Sequence, residues 1–240
     1  MNTTFTGAET VGEIVTKFPS AANLFKASRI DFCCGGERML TDVLQQKKLD
    51  EQQFMQRLNE EYARTVARGL DSQIQWAEVP PSELIDHIVH THHAYLRSEL
   101  PVLSEFLTKV LRVHGAAHPE LAQLHRLYHQ MKIELEQHLI AEEENLFPFI
   151  KKAVANPLVS SLEDALEQLD ELEQDHDVVG DALKEMRTLT HDYSLPAGAC
   201  RTYTLTYQKL EEMESDIFQH VHLENNVLFP HITNMKQQLQ

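Results

Sequence analysis

The stretches "HLIAEEENLFP" (His138–Pro148) and "HVHLENNVLFP" (His220–Pro230) share one frame, H-x-x-x-E-x-x-x-L-F-P. Side chains four residues apart on an α-helix stand one turn above each other on the same face. His138 therefore faces the same way as Glu142, and His220 the same way as Glu224. At helical spacing around His220 lie Met213, Ile217, Leu223 and Val227; around His138 lie Met131, Leu135 and Leu146. Both pairs thus sit in an apolar stripe and are expected to point inward. Burying a carboxylate without a partner costs several kcal/mol or more. No Lys or Arg shares either stripe at the right spacing. A metal cation is the economical way to neutralise two such glutamates.

Outward from these frames, helical periodicity runs along nearly the whole chain, and strand signals are almost absent. Ser82 is the expected N-cap of a long helix that Pro101 should kink. A second helix is expected from Pro119-Glu120 to "FPFIKKAV", a third from near Ser161, and a fourth from after Pro196 to "LFPHITNM". Four long amphipathic helices with short connections argue for an all-α, up-down four-helix bundle over residues 80–236. Residues 1–75 read as a small helical N-terminal domain. It holds two short helices in "TVGEIVTKFPSAANLFKASRI", a glycine-bearing turn in "FCCGGERML", and a helix capped by Asp50 and ended at Gly69. The stretch "LDSQIQWAEVPP" reads as a linker.

The other two bundle helices also offer histidine. His176 lies on the stripe of Leu169, Leu172, Val179 and Leu183. On the first helix His92 and His93 both border the stripe of Ile85, Ile88, Val89, Leu96 and Leu100; His93 fits slightly better, but periodicity does not choose between them. An isolated histidine on an apolar face is more often a satisfied core residue than a ligand. The repeated frame at matching depth reverses that expectation. Six nitrogen and oxygen donors with two carboxylates exceed what one tetrahedral zinc needs. They suit two metal ions bridged by the glutamates, and imidazole with carboxylate favours iron or manganese. His125 and His129 fall off the stripe and are expected to be exposed. His87, His90, His118, His191, His222 and His231 are expected at the surface, and His114 ends the first helix. Glu134 and Asp175 neighbour the frame histidines and could support them or line a proton or ion path, with solvation the expected role for each.

The 240 residues carry a formal net charge of −16, which disfavours binding a nucleic-acid backbone. No apolar run is long enough to span a membrane, and the N-terminus lacks a signal-peptide pattern, so a cytoplasmic protein is expected. The three cysteines do not make a disulfide framework. Cys33 and Cys34 are adjacent on a glycine-rich turn and read as free thiols; exposed at a helix N-terminus, they would have a lowered pKa. Cys200 has no partner in this reading.

The frames "HHAYLRSELP", "HLIAEEENLFP", "QDHDVVG" and "HVHLENNVLFP" are jointly specific. From Ser82 to Asn234 the chain resembles a haemerythrin-type di-iron bundle. With "FCCGG" in front, the whole chain resembles the repair-of-iron-centres family, the di-iron iron–sulfur cluster repair proteins of bacteria. The resemblance implies two non-haem irons per chain, held by His93, His138, Glu142, His176, His220 and Glu224, with the glutamates bridging. It decides for His93 over His92 and adds His114, which spacing alone does not choose. It makes Cys33 and Cys34 the family's vicinal cysteine motif, with a thiol role. It implies restoration of iron–sulfur clusters damaged by nitric oxide or oxidants, by supply of iron, with damaged iron–sulfur proteins as partners. The alternatives are a nitric oxide reductase, or a haemerythrin-like module that binds oxygen or nitric oxide. The sequence shows no flavin or haem motif that would supply electrons, and it leaves open whether the chain forms a homodimer.

Overall fold

The computed structural model describes residues 5–68 and 76–240. Gly69 and the first half of the expected linker lie outside the described residues. All regular elements described are helical, with one isolated β-bridge between Thr10 and Met39.

Four helices precede the linker: α1 (Val11–Lys17), α2 (Ala21–Ala27), α3 (Leu40–Gln46) and α4 (Glu51–Ala67). Thr10 and Glu13 form a reciprocal capping box on α1, and the Asp50 carboxylate accepts the Gln53 N–H to start α4. Val11, Ile14, Phe25, Ile30, Leu40, Leu44 and Leu58 form their shared core.

The bundle follows. Its first helix is built from α5 (Pro81–His87), a wide π-helical turn over Ile88–His93, and α6 (Ala94–His114). The second is α7 (Glu120–Ala141), a wide turn over Glu142–Leu146, and α8 (Phe147–Ala155). The third is α9 (Val159–Leu189). The fourth is α10 (Arg201–Leu223), a wide turn over Glu224–Leu228, and α11 (Phe229–Gln238). Contacts run from α6 to α7, α7 to α9, α9 to α11 and α10 back to α6, so the four helices close into a ring. The first helix begins one residue earlier than its expected cap, with Pro81 in its first turn, where a missing N–H costs nothing. α6 runs through Pro101 without interruption to His114.

The wide turns explain the "LFP" of the repeated frame. Pro148 and Pro230 stand in the first turn of α8 and α11, immediately after a wide turn. In a regular helix each proline would lose a hydrogen bond and press its ring against the carbonyl four residues back. A turn with i→i+5 bonding relieves both, and such turns recur at functional sites.

Two apolar layers fill the bundle. One contains Leu96, Leu100, Leu124, Tyr128, Leu183 and Met213; the other contains Ile85, Leu146, Ile150, Leu162, Leu228 and Ile232. The polar residues of the repeated frame lie between them. The N-terminal unit rests against the bundle. Phe32 meets Phe218 edge-on with ring centroids 5.9 Å apart, and Cys33 packs into the first apolar layer. Among the described residues no helix is long and apolar enough to cross a membrane.

Candidate metal centre

Four histidines and two glutamates converge in that interlayer. Glu142, Glu224, His93 and His220 are fully buried, and His138 and His176 nearly so. They form two groups whose potential ligand atoms crowd together: His93, Glu142, His220 and Glu224 in one; His138, Glu142, His176 and Glu224 in the other. In the first, His93 Nε2 lies 3.1 Å from His220 Nε2 and 3.3 Å from Glu142 Oε2, while His220 Nε2 lies 2.9 Å from Glu224 Oε1. In the second, His138 Nε2 lies 3.1 Å from His176 Nε2 and 3.3 Å from Glu142 Oε1, while His176 Nε2 lies 3.2 Å from Glu224 Oε2. Each glutamate thus turns one oxygen to each group.

The outer ring nitrogens are held by a supporting layer. His93 Nδ1 meets Glu143 Oε1 at 2.7 Å, His176 Nδ1 meets Asn225 Oδ1 at 2.9 Å, and His138 Nδ1 lies 3.4 Å from Asp175 Oδ2. An acceptor at Nδ1 fixes the proton there and leaves the Nε2 lone pair facing inward, the tautomer a metal ligand needs. Arg97 sits 2.8 Å from Glu143 and secures it from outside. Glu143 and Asn225 occupy the same place in the two frames, one residue after the glutamate, and each supports a histidine on a neighbouring helix.

The inner carboxylates are otherwise unmatched. Glu142 Oε1 and Oε2 and Glu224 Oε2 are buried without a hydrogen-bond donor, the nearby imidazoles lying close but off the hydrogen-bond direction. Buried acceptors left this way cost about 1–3 kcal/mol each, more when charged. Burial and the Glu224 charge push the Glu142 carboxyl up, but His138 and His93 outweigh them and hold it below its usual range. Burial also opposes ionisation of Glu224, yet His220 and His176 hold it well below that range. Burial lowers the basicity of His138, but the Glu142 and Glu224 charges overcome it and raise it to about 9. In His220 burial prevails, and its pKa falls. The donor set, imidazole and carboxylate without thiolate, fits a pair of divalent first-row cations.

Other expectations fare differently. His92 is also buried, because the wide turn before α6 brings both neighbours inward; its Nδ1 contacts Asp216 at 2.9 Å and its ring stacks on His220. His114 is not brought to the cluster. It lies about 30 Å along the first helix from His93, at ~1.5 Å per residue, and its Nε2 is 3.2 Å from Cys200 Sγ. His222, expected at the surface, is buried under the N-terminal unit, with Thr16 Oγ1 3.5 Å away and burial lowering its pKa to about 4. His125 and His129 are half-buried and bonded to Thr108 and Ser104. Asp175 supports His138 rather than serving only as a solvated charge, whereas Glu134 is exposed as expected.

The cysteine turn sits beside this centre. Asp31 Oδ1 accepts the N–H groups of Cys33, Cys34 and Gly35, and its other oxygen meets Lys184 at 3.1 Å. The Cys33 and Cys34 sulfurs are 3.7 Å apart, and Cys34 Sγ lies 3.7 Å from the carbonyl oxygen of His176. Asn226 Nδ2, two residues after Glu224, donates to the carbonyls of Phe32 (3.2 Å) and Cys33 (3.0 Å). Its amide fills the space that a Cβ at Gly12 or Gly36 would occupy, so a side chain at either position would push that amide aside. The exposure on which a lowered thiol pKa depended is not met at Cys33. The Cys34 thiol and burial push its pKa well above the ordinary value, because the turn packs the sulfur into the core.

A ring of four helices with a buried pair of shared carboxylates and four convergent imidazoles defines the haemerythrin class of cation-binding bundle. Residues 84–232 match the hemerythrin HHE cation binding domain, and residues 7–62 match the ScdA N-terminal domain, a domain of unknown function. The chain is 36% identical over 224 residues to the iron-sulfur cluster repair protein ScdA of Staphylococcus haemolyticus, covering 93% of this chain and 97% of that one. It is 33% identical over 230 residues to a probable iron-sulfur cluster repair protein of Haemophilus influenzae, covering 94% and 97%. It is 32% identical over 220 residues to the iron-sulfur cluster repair protein YtfE of Escherichia coli O157:H7, covering 92% and 94%. The chain belongs to the ScdA/YtfE family of iron–sulfur cluster repair proteins.

Proposed function

We propose that this protein holds two iron ions and supplies iron to iron–sulfur clusters damaged by nitric oxide or oxidants. The observation that carries the reading is that Glu142 and Glu224 each present one oxygen to both histidine groups. His93 and His220 would hold one ion, His138 and His176 the other, with the glutamates shared between them. When bound, such a pair supplies Lewis acidity and accessible oxidation states within a buried site. His114 has no part in this assignment.

The chain's own residues set how firmly the ions are held. Glu143, Asp175 and Asn225 orient His93, His138 and His176 and make them better donors. His220 lacks such support at Nδ1 and is held instead by packing against His92 and His93. In the metal-free chain the buried carboxylates raise the basicity of His93 and His138, so a cation at Nε2 competes with a proton there. The Cys33-Cys34 turn, seated on the His176 carbonyl, favours delivery to a client cluster over simple gas binding. A thiol there is positioned to contact iron leaving the bundle or a damaged cluster arriving at it.

Purified protein should contain about two irons per chain. Glu142→Leu together with Glu224→Leu should abolish metal binding and the reactivation of a nitrosylated cluster enzyme. Retention of stoichiometric iron in that double variant would overturn the ligand assignment. Full reactivation by a metal-free variant would overturn iron supply.

A further inference from the structure

The chain's negative charge is unevenly placed. Up to residue 68 it carries nine basic and nine acidic side chains, and the remainder carries 12 basic against 28 acidic. The net −16 therefore belongs to the bundle half. Yet one cavity of about 570 Å³, at the seam between the N-terminal unit and the bundle, is lined by six cations. Lys26, Arg29, Arg38 and Lys47 come from the N-terminal unit, Lys184 and Arg187 from α9.

Only two carboxylates line the same cavity, and both are matched. Asp31 pairs with Lys184 at 3.1 Å, and buried Glu214 takes a two-pronged contact from Arg187. Lys26 leans on Glu211 and Arg29 on Asp192, both at solvent-exposed positions. Arg38 is hydrogen-bonded to the neutral amide oxygen of Gln46. Among the described residues neither Arg38 nor Lys47 has a carboxylate partner, so the cavity keeps uncompensated positive charge. Like charges lining a concavity focus the local potential, which favours an anion inside it. Its volume lies in the range of small-molecule sites, and Ile30, Val43 and Phe218 give it an apolar wall.

We propose that this cavity binds a small organic anion carrying two or more negative charges, as phosphate or carboxylate, on a partly apolar body. Arg38 offers a planar donor fork for such a group and Lys47 a mobile point charge. The apolar wall receives the body. Because both units line the cavity, an occupant braces one against the other. Lys184 and Asp31 connect that seam to the cysteine turn. None of the lining residues belongs to the His–Glu centre, so the proposal stands apart from the iron reading.

The test is calorimetric titration of the full-length, iron-loaded protein with two probes, ADP for phosphate and phthalate for carboxylate. Iron content is checked before and after. At least one probe should bind once per chain with Kd below about 1 mM at low salt and weaken as salt rises. R38Q combined with K47Q should weaken that binding about tenfold or more, with iron content unchanged. The preferred probe identifies the anionic group. Binding of neither probe overturns the proposal, as does equal binding by the double variant. A hexaglutamate peptide that binds where both small anions fail also overturns it, and assigns the surface to an acidic protein segment.

Discussion

Asn226→Ala should release the cysteine turn from the bundle while leaving the metal ligands in place. The native amide donates to two backbone carbonyls, Phe32 and Cys33, across the seam between the units. A neutral hydrogen bond contributes about 1 kcal/mol net, so losing both should cost about 2 kcal/mol of docking free energy. With each 1.4 kcal/mol worth tenfold, the population with the turn lifted should rise about 30-fold. Cys33 is only 3% exposed and reacts only when the turn opens, so its alkylation rate reports that population. The assay is iodoacetamide labelling followed by mass spectrometry, in a Cys200→Ser background that removes the exposed thiol. Labelling of Cys33 should accelerate by that factor, with iron content unaltered. An acceleration below about threefold would refute the reasoning, because Asn226 would then contribute less than about 0.7 kcal/mol to holding the turn down.

His93→Ala should remove most bound metal, whereas His114→Ala should leave it unchanged, since His114 lies at the far end of α6 against Cys200; metal analysis of the two proteins decides. Metal affinity should climb with pH from 6.5 to about 9. His138 in the metal-free fold holds its proton up to about 9, against an ordinary 6.5, and that proton competes with the cation. The same shift stabilises the metal-free fold fully below 6.5, and this contribution fades as pH rises through about 9. Competition with a chelator across that range checks the first sign, and chemical unfolding of the metal-free protein checks the second. Arg187→Met should cost about 3 kcal/mol in urea unfolding, because it strands the buried Glu214 carboxylate without its partner.

The repeated frame determined the helical faces and the pairs His138–Glu142 and His220–Glu224. Spacing of four is a local property, and an apolar stripe announces which face is buried. His176 was legible for the same reason. His92 and His93 could not be separated by periodicity, because a wide turn breaks the 3.6-residue register at that point and buries both. The repeated "LFP" was the available signal for the wide turns of the second and fourth helices, where i→i+5 bonding relieves the proline's lost hydrogen bond and clash; the turn at Ile88–His93 carries no such mark. Glu143 and Asn225 looked like ordinary polar residues beside a glutamate. Only the ring order of the helices showed that each supports a histidine on a neighbour.

The burial of His222, the docking of Asn226 on the cysteine turn and the basic cavity at the seam depend on contacts between residues far apart in the chain. Local pattern encodes which side of a helix is apolar, and so it determined the bundle and most of its inner residues. Which surface a second unit covers is decided by packing between distant segments. That packing alone set the accessibility of Cys33, the support of the ligands and the place where positive charge collects.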